Sequence, residues 1–509
     1  MPKLSDTCSS TCKDFPKEIP SYGDIGGIGV TLAFVITAWM VVIVLIGYYL
    51  KVFDPRLDPF RKEGTQKSTK YPNSIDYSVH EIFQRLPWLE HHSKSISSRS
   101  SRLGTVLNAC VLMFADVQIF TPVAILVGAY ASVGCDIVAY HWQYMIYLAW
   151  LASVTHLASL SFLRNHLANN PAKRIWRLVA MCTIQVMLAV AVGLSMTFNG
   201  DPWLNSQGGR PAICYFEDRI DTSSVTFQSA IKFIILLAWG LTIRIAKTFE
   251  GFEGGLRRTA SRLEAWGNQD RRRYLDSARR PSSLYFRTWR HISTPYFFGL
   301  YSVLSIQLDL FTSLLAEVYW LFFTIIWITV RLVKLRLPGN QDDSKWTFGQ
   351  VLPIILLVAP LALAIETFYA VPTGDDLANN DQEISVLNPG NIRDLSHIHG
   401  PAYRGVFFLA VLSYIEIAVY FVLDQAESQG IAIPLIRIFW AAFFLQPMLQ
   451  ISWSVCNLWL DKMTWNTPLK HAIRDVVLLV YSVISLAENF ISSDDILFGN
   501  IVDQRGGAF

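Results

Sequence analysis

Five polar side chains stand where a membrane-spanning helix has least use for them. Asp116 and Gln118 interrupt the apolar run 106–132, His156 the run 140–162, Gln185 the run 176–198 and Glu416 the run 403–424. At a helical rise of about 1.5 Å per residue, Asp116 lies about 15 Å, His156 about 10 Å and Gln185 about 13 Å from the Lys/Arg-flanked ends of their runs. An ionisable group at such depth is costly unless it is paired or faces water. The spacing therefore predicts that Asp116 and His156 approach one another, with Gln118 and Gln185 nearby. Two readings fit such a cluster. One is a proton-handling or substrate-binding site; the other is a hydrogen-bonded clamp between helices. Glu416, centred in Tyr414-Ile-Glu-Ile-Ala-Val, needs a polar partner or a proton.

Other polar groups carry less chemistry. His141 is four turns from His156 and shares its face, but beside Trp142 it reads as an interfacial anchor. Asp309, Glu317, Glu366 and Glu488 fall in later apolar stretches, and Glu366 is near enough to a helix end to snorkel. If the run 296–335 turns back within the membrane, Asp309 and Glu317 are not buried at all. Pro122, Pro353, Pro360, Pro434 and Pro447 lie within runs, where each kinks a helix or frees a carbonyl. There is no Walker-A loop, HExxH, GxSxG or CxxC, and no Asn-x-Ser/Thr acceptor. The His397-x-His399 pair reads as part of a solvated loop. No metal or cofactor is expected.

The elements that position these groups follow from composition. Of 509 residues, 52% are hydrophobic and 16% charged, against about 25% charged in soluble proteins. Spans need about 20 apolar residues. They are expected at 29–50, 106–132, 140–162, 176–198, 225–246, 350–371, 403–424 and 432–458, with a weaker one at 474–491. The run 296–335 is either an interfacial helix leading into one span or two short spans. The expected fold is an all-α polytopic transmembrane bundle of about nine or ten spans. The chain divides into an outer segment 1–28, a five-span half 29–246, a basic loop 247–295, a second membrane half 296–491 and a tail 492–509. The first 28 residues lack an apolar region after a basic start, so the run 29–50 reads as an uncleaved anchor.

Lys and Arg set the expected orientation, because they are held on the cytoplasmic side. They crowd 51–103, the connection with Arg164, Lys173, Arg174 and Arg177, and the stretch 257–290. The alternate loops 133–139 and 199–224 are poor in them. This places the N-terminus on the non-cytoplasmic side of a plasma or secretory-pathway membrane. The acidic loop 372–402 falls on that outer side only if 296–335 crosses twice. Cys8, Cys12, Cys135 and Cys214 all fall on the outer, oxidising side, where disulfides persist. Sequence does not dictate connectivity; Cys8–Cys12 with Cys135–Cys214 is the simplest pairing, and four free thiols is the alternative.

The Arg-rich stretch 257–290 is interleaved with Leu263, Trp266, Tyr274, Leu275, Tyr285, Phe286 and Trp289. Beside a bilayer, that mixture reads as an interfacial helix on anionic lipid rather than a nucleic-acid site.

The segment Ala139-Tyr-His-Trp-Gln-Tyr-Met-Ile-Tyr-Leu-Ala-Trp-Leu-Ala-Ser-Val-Thr-His-Leu-Ala-Ser-Leu-Ser-Phe-Leu-Arg164, with Asp116-Val-Gln118 before it, resembles a signature of uncharacterised multi-pass membrane proteins from filamentous fungi. Asp24-Ile-Gly-Gly-Ile-Gly-Val30 and Phe348-Gly-Gln-Val-Leu-Pro353 resemble the same group. The resemblance spans most of the chain. It implies a fungal source and a membrane architecture, and transfers no activity or site residue.

Three functions fit. The first is carrier or channel-like handling of a small molecule or proton through Asp116, His156 and Glu416. The second is a membrane-embedded enzyme on a lipid or isoprenoid, with a carboxylate as acid. The third is a receptor-like signalling protein, suggested by the N-out start and the placement of Cys135 and Cys214, which resembles that in G-protein-coupled receptors. The long 51–103 loop and the surplus of spans oppose the third.

Overall fold

The computed structural model describes residues 12, 19–61, 65, 67–84, 96–134, 137–198, 209–216, 218–222, 224–276, 284–336, 346–370, 393, 395–426 and 441–506. Among them the regular elements are helical, and β pairing is limited to the isolated bridges Leu57–Ser68 and Val138–Pro211. The helices are α1 Gly23–Gly26, α2 Ile28–Lys51, α3 Ser74–Gln84, α4 Ile96–Ala131, α5 Ala139–Phe162, α6 Arg164–Asn169, α7 Pro171–Ser195, α8 Ile213–Phe216 and α9 Val225–Lys247. They continue with α10 Glu250–Asp276, α11 Leu284–Thr312, α12 Leu314–Arg336, α13 Phe348–Leu356, α14 Val358–Ala370, α15 Pro401–Ala426, α16 Gln446–Lys462 and α17 Thr467–Gly506.

Eight stretches among the described residues are long and apolar enough to cross a membrane. They are α2, Leu103–Ala131 of α4, α5, α7, Thr226–Lys247 of α9, α12, the continuous pair α13–α14 (Phe348–Ala370) and Pro401–Val419 of α15. The expected run 432–458 falls partly outside the described residues; its visible part is a π-turn, Ala441–Leu445, followed by α16. The weaker stretch 474–491 lies within α17. The ambiguous run 296–335 breaks at Ser313 into α11 and α12, and only α12 meets the requirements of a span. The break uses a side chain rather than Gly or Pro. Ser313 Oγ donates to Asp76 at 2.7 Å, and its N–H bonds Leu310 O. Asp309 and Glu317, on either side of the break, are both buried.

The chain forms two compact units. Unit 1 is Met1–Ser68, His80–Phe252 and Leu314–Leu387; unit 2 is Thr69–Val79, Glu253–Ser313 and Asn388–Phe509. The grouping therefore departs from chain order, since α12–α14 join the first five spans.

In unit 1, α5 is the hub. It packs against α2, α4, α7, α9 and α12, and its apolar window is entirely enclosed, against half or less for every other span. Its Ala and Ser residues allow neighbouring backbones to approach closely. The surrounding helices keep outward apolar sides, such as Ile175, Val179, Val186 and Val190 on α7. The Gly-rich start of the chain is a packing device. A Cβ on Gly29 would lie 2.4 Å from Gln350 O, so α13 sits directly on the backbone of residues 27–29.

Connectivity in unit 1 brings Lys51, Phe162, Lys247, Leu314 and Ala370 to one end.

The disulfide expectation needs correction. Cys214 is bonded to Cys12, with Cα atoms 5.8 Å apart and 202 residues between them in sequence. It does not pair with Cys135, nor Cys12 with Cys8; Cys8 and Cys135 lie outside the described residues. The reason is the course of the N-terminal segment. His141 Nε2 bonds Pro20 O at 2.9 Å, and Ala212 N donates to Ile137 O at 2.8 Å. These contacts and the disulfide bring Cys12, Pro20, residues 137–141 and residues 210–214 to one patch.

In unit 2, α16 lies between α11 and α15. Gly405 is required by a close approach, since a Cβ there would meet the Trp453 indole at 1.9 Å. Helix α10 buries Ala260, Gly267 and Tyr274, seven residues apart, and leaves Arg258, Arg262, Arg271, Arg272 and Arg273 exposed. Tyr274 packs on Phe298 and Leu458, so it faces protein rather than lipid.

Candidate functional site

The predicted polar layer of unit 1 exists, with a different pairing. Asp116 accepts from Arg177 Nη2 at 2.5 Å, and no hydrogen bond joins it to His156 among the described residues. Arg177 reads as a loop cation in the sequence. It is the seventh residue of α7, and its side chain is 5% exposed while that of Asp116 is 39% exposed. A long guanidinium reaching inward is a better partner for a carboxylate than a neutral imidazole.

His156 is buried in the middle of this layer, beside the backbone of Gln118 and within reach of the Arg177 charge. Neither of its ring nitrogens meets hydrogen-bond geometry among the described residues. The Gln118 Oε1, the Thr155 hydroxyl, and Nε and Nη1 of Arg177 are buried without partners as well.

Gln185 is not at this level. Trp142 Nε1 donates to Ala191 O at 3.1 Å, which aligns α5 with α7. From that bond His156 is about 21 Å along α5 and Gln185 about 9 Å along α7. The two are therefore about 12 Å apart in depth, and the Gln185 Oε1 is unpartnered at its own level. His141, expected as an anchor at the membrane interface, is buried and instead holds the N-terminal segment, through Pro20 O and an edge-on contact with Tyr22.

In unit 2, Glu416 has polar partners from two further helices. Gln446 Nε2 donates to its Oε2 at 2.8 Å, and the Ser485 hydroxyl donates to its Oε1. Gln446 also begins a line that sequence reading missed. Gln446, Gln450, Ser454, Asn457 and Asp461 are spaced 4, 4, 3 and 4 residues apart, which places them on one face of α16. That periodicity was the available signal. Gln450 accepts from Gln307 at 3.1 Å, and Asp461 pairs with Arg474 at 2.6 Å and Arg271 at 2.9 Å. Gln446 Oε1, Ser454 Oγ and Asn457 Oδ1 are buried without partners. The opposite face of α16 borders an open cavity of about 470 Å³ lined by Tyr296, Met448, Ile451, Val455, Cys456 and Trp459.

Two more charged clusters emerge from folding. In unit 1, Glu317 Oε1 accepts from Lys247 at 2.8 Å and from Arg164 at 2.9 Å, all three side chains being buried. In unit 2, Arg393 forks onto Asp309 at 3.0 and 2.9 Å and donates through Nε to Glu264 at 2.7 Å. Asn73, Ser74 and Tyr403 complete that second network: Asn73 Nδ2 donates to Asp309 O, the Ser74 hydroxyl donates to the Asp309 carboxylate, and Tyr403 bonds Ser74. The charged members of each cluster are dozens to more than a hundred residues apart, so no local spacing announces them.

No protein family, curated protein or solved structure matches the chain.

Proposed function

We propose that this chain is a multi-pass membrane carrier or channel-like protein that moves a proton or a small polar molecule through unit 1. His156 is the exchanging group, and the Asp116–Arg177 pair is its charged neighbour. One observation carries the reading: His156 sits in the fully enclosed helix α5 with only the Gln118 backbone beside one ring nitrogen and no partner at the other. A buried polar group without a partner costs about 1–3 kcal/mol. A clamp exists to make hydrogen bonds, and this layer leaves most of its own unmade. A site that exchanges protons or polar solute needs open donors and acceptors. The Glu416 line in unit 2, with its own open acceptors, supports the same class of function.

The orientation belongs to this reading. The Lys/Arg bias and the Cys12–Cys214 bond both support an N-terminus on the non-cytoplasmic side of a secretory-pathway or plasma membrane. The exposed arginines of α10 then face anionic lipid or a cytoplasmic partner. The enzyme reading has less support, because the cavity on α16 opens on the face away from Gln446 and Glu416. The receptor reading loses its main argument once Cys214 bonds the N-terminal segment.

The test is reconstitution into liposomes loaded with a pH-sensitive dye, in gluconate buffer, with a potassium diffusion potential. Wild-type protein is expected to acidify the lumen well above empty liposomes. His156→Gln is expected to slow that flux at least tenfold, and Asp116→Asn severalfold. Equal flux in wild-type and His156→Gln proteoliposomes, or none above the blank in either, overturns the assignment.

A further inference from the structure

We infer that unit 1 also holds a path for a small anion, running between α5, α9 and α12. The geometry is two basic levels separated by an aromatic plug. It uses side chains other than the His156 layer and does not depend on that layer's assignment.

At the level shared by the start of α5 and the end of α12, Arg336 donates to Thr31 Oγ1 at 3.2 Å, Tyr144 Oη at 3.5 Å and Gly26 O at 3.5 Å. Slightly deeper, Arg331 Nη2 donates to Ser229 Oγ at 2.6 Å, and its guanidinium lies 4.9 Å from the Trp327 ring centre. At the other level, Arg244 donates to Ser161 Oγ and to Gly240 O, both at 3.3 Å. Among the described residues these three arginines hydrogen-bond only neutral oxygens; Arg244 also stands within electrostatic reach of the Glu317–Lys247–Arg164 cluster, whose cations outnumber its one carboxylate. Between the levels, the rings of Trp150, Phe233 and Trp327 meet, with Trp327 at 5.1 Å from Trp150 and 6.0 Å from Phe233.

An arginine inside a span is costly and is kept where it meets an anion, a pathway or water. A structural arginine normally takes a carboxylate, as Arg393 does. Here the partners are hydroxyls and backbone carbonyls; the Thr31 and Ser161 hydroxyls donate their own protons to Gly27 O and Leu157 O, so the guanidinium N–H groups and the Ser229 hydroxyl are the donors left to a ligand. Guanidinium with a hydroxyl beside it is a donor set for chloride or phosphate. Rings of Arg and Lys select anions in pores by the same chemistry. Arg336 stands about 14 Å from Trp327 along α12, and Phe233 about 17 Å from Arg244 along α9. The two levels together span roughly the 30 Å of a hydrocarbon core.

The test uses proteoliposomes at equal pH on both sides, with a valinomycin-set potential. Chloride entry is followed by lucigenin quenching, and phosphate entry by radiolabel. At least one anion should enter wild-type vesicles tenfold faster than empty ones. Arg331→Gln and Arg244→Gln should each cut that rate at least fivefold, Arg331→Lys should restore much of it, and Trp327→Ala should raise it. A second measurement uses intact wild-type protein, so that a folding defect in either Gln variant does not decide the outcome. Its thermal midpoint should rise by several degrees when chloride or phosphate replaces gluconate. The inference is overturned if neither anion enters faster than the blank and neither shifts the midpoint, or if well-folded Gln variants carry anion at the wild-type rate. Proton flux in gluconate tests the His156 assignment separately, so either can fail alone.

Discussion

Arg177 in unit 1 and Arg393 in unit 2 are both buried and both meet an aspartate, yet their surroundings differ completely. Arg177 has one ion pair, to a half-exposed carboxylate, and leaves Nε and Nη1 unpartnered. Arg393 uses all three nitrogens: Nε on Glu264, Nη1 on Asp309 and on Pro72 O, and Nη2 on Asp309. Even its backbone N–H is bonded, to Lys70 O at 3.0 Å. Burial pulls the Arg393 pKa down, but Asp309 and Glu264 more than offset that and hold it above the ordinary arginine value. The contrast separates two uses of a buried charge. A saturated, charge-matched network is a fastener, because any unmet group in a low-dielectric interior is expensive. A layer with open donors and acceptors carries that cost for another purpose.

The largest expected effect comes from breaking the fastener. Arg393→Ala leaves Asp309 buried and uncompensated, which costs about 3–5 kcal/mol. Purified in detergent, the variant should melt many degrees below wild type or fail to accumulate, and Arg393→Lys should fall between. A variant that melts with the wild type would show that the saturated network is not what it appears from its hydrogen bonds, and the contrast with Arg177 would lose its reference.

Next in size is the covalent tie of unit 1. Cys12→Ser and Cys214→Ser should each lower stability by about 2–4 kcal/mol, and the double variant should cost no more than either single one. Non-reducing peptide mapping should recover a peptide joining Cys12 to Cys214. Recovery of Cys214 joined to Cys135 would restore the simpler pairing.

Much of the architecture is legible in the residues alone. The spans from α2 to α9 announce themselves because each is a continuous apolar run with basic flanks. The break at Ser313 is not legible, because the residue at the interruption is a serine bonded to Asp76, 237 residues away. The polar layer is half legible. The periodicity and depth of Asp116, Gln118 and His156 place them together, but Arg177 reads as a loop cation until the reach of its side chain is seen. Gln185 is misplaced for the opposite reason: depth counted from the end of a run carries no knowledge of how α5 and α7 are offset. Arg393 escapes sequence reading altogether, since nothing near it in the chain hints at Asp309.

The open layer should respond to substitution in the reverse sense. If His156 makes no hydrogen bond, removing its polarity costs nothing of that kind. His156→Leu should therefore leave the thermal midpoint unchanged or raise it, by up to about 1 kcal/mol of stability, because an unmet buried polar group is eliminated. Proton flux should be lost in the same variant. Destabilisation by 2 kcal/mol or more would mean that His156 is a clamp with partners formed in solution, and the distinction between the two arginine environments would shrink.

Glu416 lies between the two extremes and should give the smallest effect. Its carboxylate accepts from Gln446 and Ser485, but the Gln446 carbonyl oxygen beside it is open. Glu416→Gln keeps an acceptor for Ser485 and puts an amide N–H₂ opposite Gln446. Rotation of the Gln446 amide then presents its oxygen to that new donor, at the expense of the bond that Gln446 Nε2 gives the Ser485 hydroxyl, so two of the three hydrogen bonds in the cluster survive. The expected change is below about 1 kcal/mol, whereas Glu416→Leu strands two donors and should cost about 1–3 kcal/mol for each. Thermal midpoints of the two variants decide the matter. If Gln is as damaging as Leu, the site depends on negative charge rather than on acceptors, and Glu416 belongs with the ion-paired fastener instead of the open layer.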